Sequence, residues 1–223
     1  MMNSLNILYE DNHIIVVEKP YNILSQSDIT NDKDLLTMVK EYIKEKYNKP
    51  GNVYVGLVHR LDRPVGGVMV FAKTSKAASR LSKEVANNEF KKEYLAVVRG
   101  IIKEDKKTLI DYIKKEDDGN SVITNEKEGK YSELSYEVLD RIDDMTLVKI
   151  NLKTGRHHQI RVQFKNYGYP LCGDQRYGTE DKTQIALFAY KLTLVHPVTK
   201  EMMEVKLLPK REGYFSKFEF NNL

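Results

Sequence analysis

The chain has 223 residues, 41% hydrophobic and 30% charged, with a net charge of +4 and one cysteine, Cys172. That apolar share excludes a disordered chain and suffices for a sizeable core, and one cysteine excludes an internal disulfide. No apolar run reaches the roughly 18 residues of a membrane helix, and the opening MMNSLNILYEDNH lacks the basic and apolar regions of a secretory signal. The expectation is a protein of the reducing cytoplasm, with no membrane partner.

Along the chain, His13 to Lys19 is β-branched and stops at Pro20, which predicts a strand. Residues 34–47 place Leu35, Met38, Val39, Tyr42, Ile43 and Tyr47 at helical spacing, with Asp34 as N-cap. Asn48 to Asn52 reads as a turn. Val53 to Leu61 reads as one strand and Gly67 to Lys73 as another. A helix over 76–87, capped by Thr74 or Ser75, precedes a strand over 93–99. TLIDYI, SVIT, SELSYEVLD and MTLVKINL, joined by polar turns, predict a β-meander between 108 and 152. A helix follows over 155–167 with Thr154 as cap, then strands within ALFAYKLTLVHP and EMMEVKLL. There is no repeat and no strict βαβ alternation. The expected fold is α+β, a mixed, mostly antiparallel sheet with flanking helices and loops around a central cleft, as a single domain over 1–223.

The charge is uneven. Residues 59–83 hold six Lys/Arg against Asp62, and residues 153–176 hold five against Asp174. If the two segments meet, they form a basic surface suited to a polyanion. Lysines on solvated helix faces give the same count, so charge alone decides nothing.

The motifs exclude several chemistries. PVGGVMVFAKT lacks the ending of a phosphate loop, and there is no GxSxG and no HExxH. His157 and His158 are adjacent, which on a helix turns them about 100° apart, so they do not share a metal. No metal and no cofactor are expected. What remains is "HRLDRPVGG", residues 59–67. On a strand, Leu57, His59 and Leu61 share one face and Val58, Arg60 and Asp62 the other. Pro64 ends regular pairing and Gly66-Gly67 permits a turn, so Asp62 sits at a strand-to-loop corner. A carboxylate there suits catalysis on a rigid scaffold, and it equally suits a turn cap. In "TGRHHQIRVQF", residues 154–164, a helix makes His157 and Arg161 neighbours four residues apart. A semi-buried guanidinium wants a carboxylate, and Asp62 is a candidate. In "KKEYLAVVRG", residues 91–100, Tyr94 could stack on a base or fill core.

These motifs, taken in order, resemble the RluA-type family of RNA pseudouridine synthases over nearly the whole chain. HRLD at 59–62 resembles the segment with the catalytic aspartate, and KKEYLAVVRG the family's strand. TGRHHQIRVQF resembles its helix, and YEDNHIIVVEKPYNIL at 9–24 its opening. CGDQRYG at 172–178 and LFAYKLTLVHP at 187–197 resemble its last blocks. The departures are Val65-Gly66-Gly67, Gln163 in place of histidine and Asn22 in place of glycine.

The resemblance implies Asp62 as the essential aspartate, acting at the sugar C1′, at the base C6 or through a glycal. It implies Tyr94 stacked on uracil, Arg161 paired with Asp62, and Arg60 helping to extrude the nucleotide. His59, Arg60, Arg63, Arg156, His157, His158 and Gln159 are then the RNA-binding candidates. The implied partner is a ribosomal or transfer RNA stem-loop, met by a monomer with no separate N-terminal S4-like domain. The alternative is a non-catalytic RNA-binding or RNA-chaperone protein on the same fold, with Asp62 a turn residue.

Overall fold

The computed structural model describes residues 5–30, 32–178, 181–220 and 223. Strands β1 (Ile7–Glu10) and β2 (Ile14–Lys19) precede helix α1 (Leu35–Lys46). Next come β3 (Gly56–Leu57), β4 (Gly66–Ala72), α2 (Ser75–Ala86) and β5 (Lys91–Arg99). The meander is β6 (Lys106–Lys115), β7 (Ser121–Thr124), β8 (Lys130–Ile142) and β9 (Met145–Leu152). Helix α3 (Gln159–Asn166), β10 (Leu187–Val195), β11 (Met202–Lys206) and a 3-10 turn (Gly213–Lys217) complete the chain. This is the α+β content expected. No helix among the described residues is long and apolar enough to cross a membrane.

Two compact units divide the chain: Met1–Phe90 with Lys191–Leu207, and Lys91–Tyr190 with Leu208–Leu223. In the first, β4 pairs antiparallel with β2 on one side and with the short β3 on the other, and β10 pairs antiparallel with β11. Every residue of β4 is buried, which is why GGVMVFA runs apolar without alternation. Ile14 and Val16 of β2, Val68, Val70 and Ala72 of β4, and Ala77 and Leu81 of α2 share one core cluster. The cap readings hold: the Asp34 and Thr74 side chains accept the Thr37 and Ala77 N–H groups.

One expectation fails here. Val53–Leu61 is a strand only at Gly56–Leu57. Beyond it, side chains take over the ladder's work. The Leu61 N–H donates to Ser25 Oγ (3.1 Å), Ser25 Oγ donates to the Leu61 carbonyl (2.7 Å), and the Val70 N–H donates to His59 Nε2 (3.2 Å).

The second unit is an antiparallel run, β5 beside β9, β9 beside β8, β8 beside β6 and β6 beside β7. Its strands alternate, with Leu109 and Ile113 buried on β6 and Leu134 and Tyr136 on β8. Helix α3 buries Val162 against Ile113 and Tyr177. It begins at Gln159, four residues later than the periodicity predicts, and Thr154 is not its cap. His158 adopts a left-handed conformation (φ 53°, ψ 23°) that interrupts the helix before it can extend back. His157 therefore lies outside the helix and is not an i,i+4 neighbour of Arg161 on it.

Candidate active site

The first unit carries His59, Arg60, Asp62 and Arg63 on the segment entering β4. The Val65 N–H donates to the Asp62 carbonyl (3.0 Å), closing a turn over Arg63 and Pro64. Val65 is buried, and Gly67 has φ 131°, a conformation that favours glycine. The Val65-Gly66-Gly67 departure thus supplies a core side chain and then the backbone freedom to enter β4. Arg60 and Arg63 are exposed and Asp62 is half-buried. Arg63 makes an ion pair with Asp32 (2.8 Å) and donates from Nε to the Asn22 carbonyl (3.3 Å). His59 is buried, with its ring 5.2 Å from Phe90. With Nε2 committed to the Val70 N–H, it ties the segment to β4 from inside the unit.

Beneath this turn lies a residue to which the motif reading assigned no role. Lys19 is fully buried, and its Nζ donates to the carbonyls of Pro20 (3.1 Å), Arg63 (3.0 Å) and Val65 (2.7 Å). Burial pulls its pKa from 10.5 down to about 7, against the raising effect of the Asp62 charge. An ammonium holding the carbonyls of Arg63 and Val65, one and three residues after Asp62, fixes the turn that follows that carboxylate. The signal in the sequence was a lysine at the end of an otherwise apolar strand, directly before Pro20.

The second unit carries Tyr94, Arg156, His157, His158, Gln159 and Arg161. Tyr94 is buried on β5, opposite Ile150 of β9. Arg161 is 5% exposed and forms a two-pronged pair with Asp174, Nε to Oδ2 at 2.8 Å and Nη2 to Oδ1 at 2.6 Å. Its guanidinium also lies 5.1 Å from the Tyr177 ring centre. Burial works against ionised Asp174, yet the Arg161 guanidinium and the N–H groups of Tyr177 and Arg176 hold its carboxyl below the ordinary range.

Asp174 is a partner of Arg161 that the sequence reading did not name. Glycines bracket it. A Cβ on Gly173 would run into the Gln184 carbonyl, and one on Gly178 would stand 2.8 Å from the Asp174 carbonyl. The CGDQRYG block is spaced to close the backbone around this carboxylate.

The remaining candidates form a polar ring before α3. The Gln159 amide accepts from Thr154 Oγ1 (2.8 Å) and the Arg156 N–H (3.0 Å), and donates to the Glu133 carbonyl (3.1 Å) and Gln163 Oε1 (3.0 Å). With both ends engaged and 2% exposure, Gln159 organises the loop. The His157 and His158 rings stack at 3.7 Å. Ser121 contacts His157 Nδ1 (3.0 Å), and Tyr177 Oη contacts His158 Nδ1 (2.8 Å) while accepting the Ser121 N–H (2.7 Å). Arg156 is exposed and donates from Nε to the Tyr131 carbonyl (3.0 Å). Among the described residues, no group of three or more His, Cys, Asp or Glu side chains is placed to hold a metal ion. Cys172 is buried, and burial pushes its thiol up to about 11.

A family model described as RNA pseudouridylate synthase matches residues 13–166. An uncharacterised RNA pseudouridine synthase of Bacillus subtilis is 34% identical over 207 residues, 90% of this chain and 68% of that protein. The ribosomal large subunit pseudouridine synthase D of Haemophilus influenzae is 33% identical, over 90% of this chain and 66% of its own length. The chain thus spans about two thirds of these relatives. Among solved structures, human RNA pseudouridylate synthase domain containing 4 superposes with a TM-score of 0.75 at 21% identity, covering 95% of this chain and 90% of that one. Its human counterpart, domain containing 1, gives 0.75 at 24% identity, covering 95% and 86%. These two likenesses establish the fold.

Proposed function

The chain belongs to the RNA pseudouridylate synthase family, in its RluA type, and on that premise we propose that it isomerises specific uridines in structured ribosomal RNA. The observation that carries the reading is a family match over residues 13–166, which contains Asp62, Tyr94 and Arg161 within their motifs. Relatives named for the ribosomal large subunit favour ribosomal over transfer RNA as the substrate.

The reaction breaks the N1–C1′ bond of uridine, turns the base, joins C5 to C1′ and moves the C5 proton. Atoms balance within one nucleotide, so the chemistry needs a nucleophile or base, a platform for the loose uracil and a proton acceptor. Asp62 supplies the carboxylate, at C1′, at C6 or through a glycal. Tyr94 stacks on the uracil and takes part in proton removal at C5. Arg161 is the arginine of the motif's helix, held in place through its pair with Asp174. The exposed Arg60, Arg63 and Arg156, with His157 and His158, hold the RNA, while His59 and Gln159 position the segments that carry them. Residues 1–223 act as one catalytic domain, as a monomer in the cytoplasm. Flipping the base costs a few kcal/mol, least where it is already poorly stacked, which favours a loop uridine. Phosphate contacts make binding weaken as salt rises.

The test is pseudouridine mapping of ribosomal and transfer RNA from cells carrying either the wild-type chain or Asp62→Asn, with turnover by the purified proteins measured alongside. Replacing the carboxylate by an isosteric amide should lower turnover by at least about 10²–10⁴-fold, as for loss of a positioned acid–base group. A wild-type chain that leaves no pseudouridine in either RNA, or an Asp62→Asn chain of full activity, overturns the reading. The second outcome would favour an RNA-binding protein in which Asp62 only shapes a turn.

A further inference from the structure

Lys92 stands on β5, two residues before Tyr94 and on the same face of the strand. It is half-buried, and burial lowers its pKa. Among the described residues its ammonium has no ion-pair or hydrogen-bond partner. Other lysines in the strands of this unit are either exposed, as Lys91, Lys115 and Lys130 are, or paired with a carboxylate. Lys106 and Lys149 both reach Glu137, and Lys107 reaches Glu104. Partial burial of a cation without an anion is costly, and the ordinary remedies are a carboxylate or a carbonyl.

The position of the ammonium is also defined. A methyl group on Gly155 would stand 3.2 Å from Lys92 Nζ, so the charge lies over that glycine. Gly155 is exposed and leads directly into Arg156 and His157, which are exposed too. The cation is therefore at the rim of the 154–158 loop, shielded enough to lose water yet open on the side of the glycine. Two strand residues span roughly 6.6 Å, so Lys92 and Tyr94 are near neighbours on one face of β5.

We infer that Lys92 is an RNA-backbone contact, its ammonium receiving a phosphodiester oxygen beside the nucleotide whose base meets Tyr94. The inference rests on the proposed RNA substrate. The missing anion is the one that a nucleic acid brings, and Gly155 is the side-chain-free surface over which it approaches.

The experiment measures binding of a single-stranded oligouridylate by fluorescence anisotropy across a potassium chloride series, for wild type, Lys92→Met and Lys92→Arg. Thermal unfolding of each free protein is recorded in parallel. Lys92→Met should bind more weakly and flatten the slope of log K against log salt by about 0.7, the contribution of one phosphate on a single strand. Lys92→Arg should keep the wild-type slope. Free Lys92→Met should be at least as stable as wild type, because no partner is lost. An unchanged slope, a Lys92→Met protein less stable than wild type, or a wild-type chain that does not bind the oligouridylate overturns the inference. Binding is read without turnover, so this failure is distinct from a wild-type chain that binds yet makes no pseudouridine.

Discussion

Each unit takes a lysine out of water, and the two are treated in opposite ways. Lys19 in the first unit is fully buried and donates to three backbone carbonyls. Lys92 in the second is half-buried and has no partner among the described residues. Burial lowers the pKa of both. The difference lies in what each charge is for. A buried cation that meets its acceptors inside the fold holds the fold, and one that does not is kept for something that arrives. Arg161 belongs with the first kind in its pairing with Asp174, and this gives the comparison its sharpest test. Asp174→Ala would strip Arg161 of its two-pronged, buried carboxylate contact in the second unit. Stability should fall by about 3–5 kcal/mol, the cost of breaking a buried pair on one side. Urea unfolding measures it. A loss below about 1 kcal/mol, the worth of a surface pair, would mean that the Arg161–Asp174 pair does little to hold the second unit.

Lys19→Met comes next in size. Methionine fills similar space and donates nothing, so three carbonyls around the Asp62 turn lose their donor. Unsatisfied buried acceptors cost about 1–3 kcal/mol each, and removing the buried charge offsets part of this. A net loss of about 2–3 kcal/mol in urea unfolding is expected. The pH dependence separates the two effects. The unfolded amine titrates near 10.5 and the folded one near 7, so between these values the unfolded chain binds more protons. Stability therefore gains a rising component from about pH 7 towards 10.5, and Lys19→Met should remove it. Equal slopes in the two proteins over that window would contradict the assignment of a depressed pKa to Lys19.

Much of the fold was legible where one rule governed a segment. The meander strands alternate and end in polar turns, and every strand predicted between 108 and 152 is present. The readings that failed lie beside the candidate site, where side chains replace backbone partners. Val53–Leu61 has a strand's composition, but Ser25 and His59 take bonds that a strand would make through its main chain. The predicted first turn of α3 is lost because Gln159 captures Thr154 and the Arg156 N–H while His158 turns left-handed. Lys19 and Asp174 were both inside quoted motifs without a role, since neither contact is local. Lys19 reaches residues 63 and 65, and Asp174 reaches back to 161. Spacing reports neighbours on one element; it is silent on a charge that is matched across loops.

The smallest effect is expected at Asn22, which stands where the family resemblance leads one to expect glycine. Its φ is 64°, in the left-handed region that glycine enters freely and asparagine more easily than other side chains. Its carbonyl accepts from Arg63 Nε, so this backbone conformation aims an acceptor at the segment Lys19 holds from below. Asn22→Gly keeps the conformation and should shift stability by less than about 1 kcal/mol, the entropy of a freer unfolded chain opposing the relief of strain. Asn22→Val forces a β-branched residue into the same φ and should cost about 1–2 kcal/mol. The pair sharpens the contrast between the two lysines. If the Asp62 turn is fixed chiefly by Lys19, Asn22→Val should lower stability while leaving the oligouridylate salt slope unchanged, whereas Lys92→Met should do the reverse. A change of salt slope in Asn22→Val would place the Arg63 side of the turn, and not Lys92 alone, among the groups that count phosphates.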